Sequence, residues 1–205
     1  MNSLQSPTSG YTLFRELADI ALGIFSDVRS LREDHVSFDG TSPYNLSDDQ
    51  LNELCDPSRW SVMRRIASAP RFPWDLCRII PLLESGQRWA LNNAHVRRLT
   101  RGNPQYETSH RLFLSLLLHA RRMCLASPRY GELAFGLTVQ EVRALLLAGD
   151  IALIEAAPQL RLTFRSAHFH DVLRVPQDHR ATGGQAPILE HIVRASGLAR
   201  ARSSL

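Results

Sequence analysis

The sequence predicts a mainly α-helical protein built from two related helical units in tandem, each with three or so helices and a short extended arm. Apolar residues recur at helical spacing in several segments. Segments of the first half also reappear in the second half in the same order, as they do in internal repeats. The chain has 205 residues, 44% of them hydrophobic, which is enough for one large or two small cores. We expect the two units to pack together as a pseudo-dimer.

The first helix of each unit is indicated by apolar residues at positions i, i+3, i+4 and i+7. Residues 13–25 (LFRELADIALGIF) align with residues 112–124 (LFLSLLLHARRMC) at an offset of 99. The aligned apolar positions are Leu17, Ala21 and Ile24 over Leu116, Ala120 and Met123. Both segments therefore predict an amphipathic helix.

The second helix of each unit begins at a hydroxyl residue that suits the N-cap position. Residues 46–54 (LSDDQLNEL) align with residues 137–145 (LTVQEVRAL) at an offset of 91. Glu141 stands three residues after Thr138, which predicts a capping box. The two aspartates of the first copy, residues 48–49, lie in the first helical turn, where carboxylates suit the helix dipole.

The third helix of each unit ends at an Ala-Pro pair, because proline cannot continue a helix. Residues 66–74 (IASAPRFPW) align with residues 154–162 (IEAAPQLRL) at an offset of 88. After the second pair, QLRLTF alternates apolar and polar residues, which predicts a short strand. Its counterpart RFPWDLC contains a proline and predicts an edge strand or an irregular segment. Chance similarity in an alanine- and leucine-rich helical chain is the alternative explanation of the repeat.

A linker is predicted at residues 98–110, where Gly102, Asn103 and Pro104 interrupt the helical pattern. It divides the chain into an N-terminal helical unit, residues 1–97, and a C-terminal unit with a basic tail, residues 111–205. Residues 1–100 contain 11 Arg and 12 Asp or Glu, a net charge of −1, whereas residues 101–205 contain 13 Arg and 8 Asp or Glu, a net charge of +5. The basic half could face phosphate or an acidic partner, or it could be an ordinary solvated surface.

Catalytic and metal-binding patterns are sparse. His168 and His170 could point to the same side of a strand, with Asp171 beside them, but no other ligand stands at metal-binding spacing. There is no glycine-rich phosphate loop and no lysine at all. We therefore expect a non-enzyme with no cofactor, no metal and no small-molecule substrate. The three scattered cysteines indicate a reduced, cytoplasmic protein, and no segment predicts a membrane span or a secretory signal.

The C-terminal segment predicts one more helix. From Pro187, residues 187–200 place Ile188, Leu189 and Ile192 on one face. Arg194 and Arg200 lie on this helix. Such a helix could dock on DNA through its guanidinium groups, or it could be a final packing helix.

Residues 112–200 resemble the FlhD family, the smaller subunit of the bacterial flagellar transcription activator. The resemblance depends on an ordered set of short motifs with family-like separations. These are LSLLLHARRM (114–123), GLT (136–138), FR (164–165), QDHR (177–180) and the Ile188–Ile192 spacing in the last helix. Residues 11–90 would then be a degenerate second unit of the same type.

The resemblance implies a small helical, dimer-forming protein that acts on promoters together with a zinc-bearing partner subunit, FlhC. It points to Arg180 for DNA contact, with Gln177 and His179 beside it. Two departures matter. FlhD proteins are about half as long as this chain, and the arm cysteine that can link two FlhD subunits is replaced here by Leu162 or Thr163.

We therefore expect a transcriptional regulator subunit of FlhD type, which binds DNA weakly alone and requires an FlhC-like partner, with a homodimer also possible. The alternative is a helical protein–protein adaptor, such as an accessory factor of a secretion apparatus or a mobile element, with no DNA contact. Trp60, Trp74 and Trp89 would then serve as exposed partner contacts, although they could equally be core residues.

Overall fold

The computed structural model describes residues 10–36, 38, 42–76, 79–84 and 106–165. These residues are mainly helical, as predicted. The helices are α1 (Gly10–Glu33), α2 (Asp48–Cys55), α3 (Trp60–Ala67), α4 (helical residues 79–84), α5 (Glu107–Ala126), α6 (Pro128–Phe135), α7 (Val139–Leu147) and α8 (Asp150–Ala156). Two 3₁₀ turns, Pro57–Arg59 and Ala157–Gln159, precede α3 and follow α8.

Equivalent side chains cap the second helices of the two halves. Ser47 caps α2, and Thr138 caps α7. Each hydroxyl accepts a hydrogen bond from the backbone N–H three residues later, at Gln50 and Glu141, and each of those side chains accepts from the cap residue's own N–H. The capping box predicted at Thr138 is confirmed, and a second box occupies the aligned position in the first half.

Helix α6 was not predicted, since the repeat indicated only a loop between the first two helices of each unit. It begins at Pro128, which is well placed in a first helical turn, and ends at Gly136 in the left-handed conformation with φ of 70°. Gly131 allows α6 to pack closely against α5, because a Cβ there would lie 2.5 Å from the Cys124 sulfur. Both glycines are therefore required by this chain path.

A small sheet joins the two halves of the chain. Its strands are β1 (Tyr44–Asn45), β2 (Trp74–Asp75) and β3 (Leu162–Phe164), and β3 lies between the other two. β1 pairs with β3 in parallel, and β2 pairs with β3 antiparallel. The strand predicted from QLRLTF is thus the central one, and the proline-containing arm supplies an edge strand, as its sequence requires.

The antiparallel pair of β2 and β3 is centred on residues that the predicted repeat aligns. Asp75 lies opposite Thr163, and these positions differ by the offset of 88. The next pair is Trp74 with Phe164. A two-fold axis between two copies of one strand would produce this register.

The first helices of the two halves, α1 and α5, pack against each other antiparallel. The start of α1 meets the end of α5, where the Leu13 carbonyl contacts His119 and Glu16 pairs with Arg122. The end of α1 meets the start of α5, where Asp27 bonds to Ser109. The first helices of the aligned units are thus also paired with each other, in antiparallel orientation.

Residues of both halves form one hydrophobic core. Trp74 lies at its centre, where its ring is in contact with Phe25, Tyr44 and Phe164 at centroid distances of 5.8, 5.6 and 5.2 Å. Phe113 of α5 packs edge-on against Tyr44 at 5.4 Å. The core therefore extends across the predicted boundary between the two units.

Three features differ from the expectations or lie outside the described residues. Helix α5 begins at Glu107, so residues 107–110 of the predicted linker are helical. Their helical state is supported by Ser109, which is buried and bonded to α1. Strand β1 is too short to have a sequence pattern and was not predicted. The predicted helix at residues 187–200 lies outside the described part of the chain.

Candidate functional site

All five residues predicted to contact DNA lie outside the described residues. They are Arg180, Gln177, His179, Arg194 and Arg200. The histidine pair at residues 168 and 170 lies outside them as well. The structure brings together three other polar clusters, none of which was predicted from the sequence.

The first cluster lines a groove of about 330 Å³ between α1 and α5. Arg122 donates to both oxygens of Glu16 across the groove, at 2.7 and 3.3 Å. Ser115 and Leu118 of α5 and Asp19 of α1 complete most of the lining. The charges of the groove are thus largely paired within it.

His119 lies at the base of this groove and is only 6% exposed. Burial lowers its pKa, against the opposing effects of the Leu13 carbonyl and Glu16. The neutral ring therefore donates from Nε2 to the Leu13 carbonyl oxygen at 2.8 Å, while Nδ1 lies 3.5 Å from a Glu16 oxygen. Both ring nitrogens face groups of α1, so this histidine is not arranged as a base for the Ser115 hydroxyl. Its evident role is to join the two helices.

The second cluster is a buried hydrogen-bond network around Asp27. One carboxylate oxygen accepts from the Tyr44 hydroxyl and from the Ser109 hydroxyl, both at 2.6 Å. Burial raises the pKa of Tyr44 well above its usual value, and the nearby Asp27 charge raises it further, so the phenol remains a donor. The network connects α1, β1 and α5 through two buried hydrogen bonds. It is a structural feature of the core.

The third cluster surrounds Gly136 at the end of α6. Arg165, directly after β3, donates from Nη2 to the Phe135 carbonyl at 2.8 Å and pairs with Asp75. Arg71, in the turn after α3, extends to the same glycine. Two guanidinium groups from opposite halves of the chain therefore meet at an exposed residue without a side chain.

Trp60 and Trp74 do not form the exposed partner surface that was expected of them under the adaptor hypothesis. Trp74 is fully buried in the core between the sheet and α1, and Trp60 is half-buried. Trp89 lies outside the described residues. The exposed apolar side chains are elsewhere, mainly on α5, α7 and α8. Among the described residues they are Tyr11, Leu118, Leu125, Leu133, Val139, Leu147, Ile151 and Ile154.

Sequence reasoning missed these clusters because their members are far apart along the chain. Asp27 and Ser109 are separated by 82 residues, and Arg165 and Asp75 by 90. The only local signal was the Phe-Arg pair at residues 164–165, which contributed to the family resemblance but indicated no ligand.

The described residues contain no group of three or more His, Cys, Asp and Glu side chains that could hold a metal ion. Of the helices within the same residues, none combines the length and apolar character that a membrane span requires. Searches of protein-family models, curated proteins and solved structures found no match to this chain.

Proposed function

We propose that the protein is a non-enzymatic transcriptional regulator subunit of FlhD type, in which one chain takes the place of a dimer. The observation that supports it best is the pairing of aligned elements: α1 with α5, and β2 with β3 in a register centred on Asp75 and Thr163. Two identical subunits related by a two-fold axis pair equivalent elements in this way. In a fused chain, each half buries the apolar face that a separate subunit would bury against its twin.

The carbonyls of Pro43 and Ala134 each accept a backbone hydrogen bond at the β2–β3 pair. The Pro43 carbonyl accepts from Leu162 of β3, and the Ala134 carbonyl accepts from Phe72, just before β2. Pro43 and Ala134 differ by 91, the offset of the aligned second helices. The donors differ by 90, whereas the offset of the arms is 88, so the two-fold relation is approximate at this place.

The DNA-binding part of the proposal depends on charge. The second half of the chain has a net charge of +5, and it includes Arg180, Arg194 and Arg200. Arginine contacts with phosphate dominate the affinity of most DNA-binding proteins and make it sensitive to salt. In this proposal the protein acts in the cytoplasm, binds DNA weakly alone and gains affinity with an FlhC-like partner.

The proposal is tested by titrating the full chain into a labelled random duplex at several salt concentrations. We expect weak binding that falls steeply with salt. Arg180→Ala and Arg194→Ala should each reduce the slope of log K against log salt by about one, as expected for one lost phosphate contact. Arg111→Ala is the matched control, because Arg111 is exposed and pairs only with its helical neighbour Glu107 in the described structure. Binding unchanged in both test variants would refute the DNA role of these residues.

One observation favours the adaptor function instead. Leu118 and Leu125 flank Arg121 on α5, and Arg121 pairs with Asp150, which begins α8. Ile151 of α8 is 58% exposed, and Leu147, just before it, is 70% exposed. Exposed apolar side chains on neighbouring helices are typical of a protein-binding surface. A chain that shows no salt-sensitive DNA binding, alone or with added partner, would favour this function.

A further inference from the structure

The cluster at Gly136 is formed by three segments that converge. Helix α6 ends there in a left-handed glycine, the turn after α3 supplies Arg71, and the end of β3 supplies Arg165. Two backbone hydrogen bonds fix this arrangement: Phe72 N–H donates to the Ala134 carbonyl at 2.7 Å, and Arg165 N–H donates to the Pro73 carbonyl at 3.0 Å. The positions of both arginine backbones are thus set by the fold.

Arg165 is held in place but retains unused hydrogen-bonding capacity. Its Nη2 group donates to Asp75 and to the Phe135 carbonyl, and the side chain is only 15% exposed. Its Nη1 atom is buried and has no hydrogen-bond partner. A buried guanidinium nitrogen without an acceptor is energetically costly, so an acceptor that reached it would be bound favourably.

Arg71 supplies the second positive charge. It is exposed, and no acidic side chain among the described residues pairs with it. A methyl group placed on Gly136 would lie 3.3 Å from Arg71 Nη2, and 3.6 and 3.7 Å from Nη2 and Nη1 of Arg165. Because Gly136 has no side chain, this residue places no atom between the two guanidinium groups, and a ligand over its Cα would meet both.

The charges around this point favour an anion. Arg71 and Arg165 contribute two positive charges, and Asp75 is the one carboxylate that contacts them among the described residues. A tetrahedral phosphate can accept from two guanidinium groups at once, and such charge-assisted hydrogen bonds are stronger than neutral ones. A phosphate would accept from the exposed Arg71 guanidinium, and it would reach the buried Nη1 of Arg165 only after a small displacement of that side chain, since Nη2 of Arg165 is already used.

We propose that Arg71 and Arg165 form a phosphate-binding site over Gly136, and that the phosphate belongs to the DNA backbone. The identity of the phosphate's source depends on the DNA-binding function proposed above, whereas the site itself does not. In the complex, this site would place one DNA strand against the junction between the two halves of the chain.

The test compares Arg71→Gln with Arg111→Gln, which removes the same charge from an exposed arginine elsewhere. Arg71 was chosen because Arg165 also supports the fold. In the DNA titration, we expect Arg71→Gln to reduce the salt slope by about one and Arg111→Gln to leave it unchanged. In a second measurement, inorganic phosphate is titrated at constant ionic strength while the Gly136 amide is followed by NMR. The amide signal should shift in a saturable way in the wild type and not in Arg71→Gln.

The outcomes separate the two proposals. If the wild type binds DNA but the two variants behave alike in both measurements, the phosphate site is refuted and the DNA-binding function stands. If the Gly136 signal responds to phosphate through Arg71 but no DNA binding is found, the site stands with free phosphate as its ligand and the DNA function fails. If neither the DNA nor the phosphate measurement responds, both proposals are refuted.

Discussion

Asp27 is a single residue on which three elements of the core depend. Its carboxylate accepts hydrogen bonds from Tyr44 and Ser109, and it is 6% exposed. Asp27→Ala leaves two buried hydroxyl groups without their acceptor, so we expect the free energy of unfolding to fall by about 3 kcal/mol. Tyr44→Phe removes only one donor and should cost about 1 kcal/mol. Urea denaturation monitored by circular dichroism measures both changes.

Ser109→Ala is the control for this network, because it also removes one donor and should resemble Tyr44→Phe. If Asp27→Ala lowered the free energy of unfolding by less than Tyr44→Phe does, the Asp27 carboxylate would not be a structural acceptor. The sequence offered no sign of this role. An aspartate on the apolar side of an amphipathic helix has no local partner, and its two donors follow 17 and 82 residues later.

At the scale of single elements, helices were predictable and their pairing was not. Apolar spacing located α1 and α5, and hydroxyl caps located α2 and α7, because these signals lie within a few residues. Strand β1 and helices α4 and α6 were missed. A two-residue strand is too short to show an alternating sequence pattern. Helix α6 was missed because the alignment assumed a loop at that place in both halves. The proposed Arg71–Arg165 site could not be predicted for a similar reason, since it depends on how β3 pairs with β2.

The contact between α1 and α5 should depend on pH through His119. Burial lowers the pKa of His119 below its ordinary value of 6.5, whereas in the unfolded chain it returns to that value. Below about pH 6.5, the unfolded state therefore binds more protons than the folded state. The stability contributed by the neutral ring is present above that pH and lost below it. We expect the wild type to lose more stability than His119→Gln between about pH 7.5 and about pH 5.5.

Urea denaturation of both proteins at the two pH values measures this difference. Glutamine can still donate to the Leu13 carbonyl but does not titrate, so the comparison isolates the histidine charge. His110, whose pKa burial and Arg161 also lower, is present in both proteins and cancels. If stability depended on pH identically in the two proteins, His119 would not titrate between the two pH values.

At the scale of the whole molecule, the alignment of the two halves predicted that they would pack together but not that they would share a sheet. The central strand β3 comes from the second half, and both its neighbours come from the first. Trp74 of the first half packs on Phe164 of the second. The two units therefore share a sheet and a core, whereas separate domains would each have their own.

This sharing predicts how the chain behaves when it is divided. Residues 1–97 and 98–205, expressed separately, should each lack half of the common core, and we expect both to be poorly folded or to self-associate. Expressed together, they should form a 1:1 complex with the helical content of the intact protein. Size-exclusion chromatography with light scattering gives the composition, and circular dichroism gives the helical content.

Because β3 has no strand partner within residues 98–205 in the described structure, a fully helical monomer of that fragment would contradict the shared core. A stable symmetric dimer of the same fragment would instead show that α5 and β3 can pair with their own copies in place of α1 and β2, as the fused-dimer proposal allows.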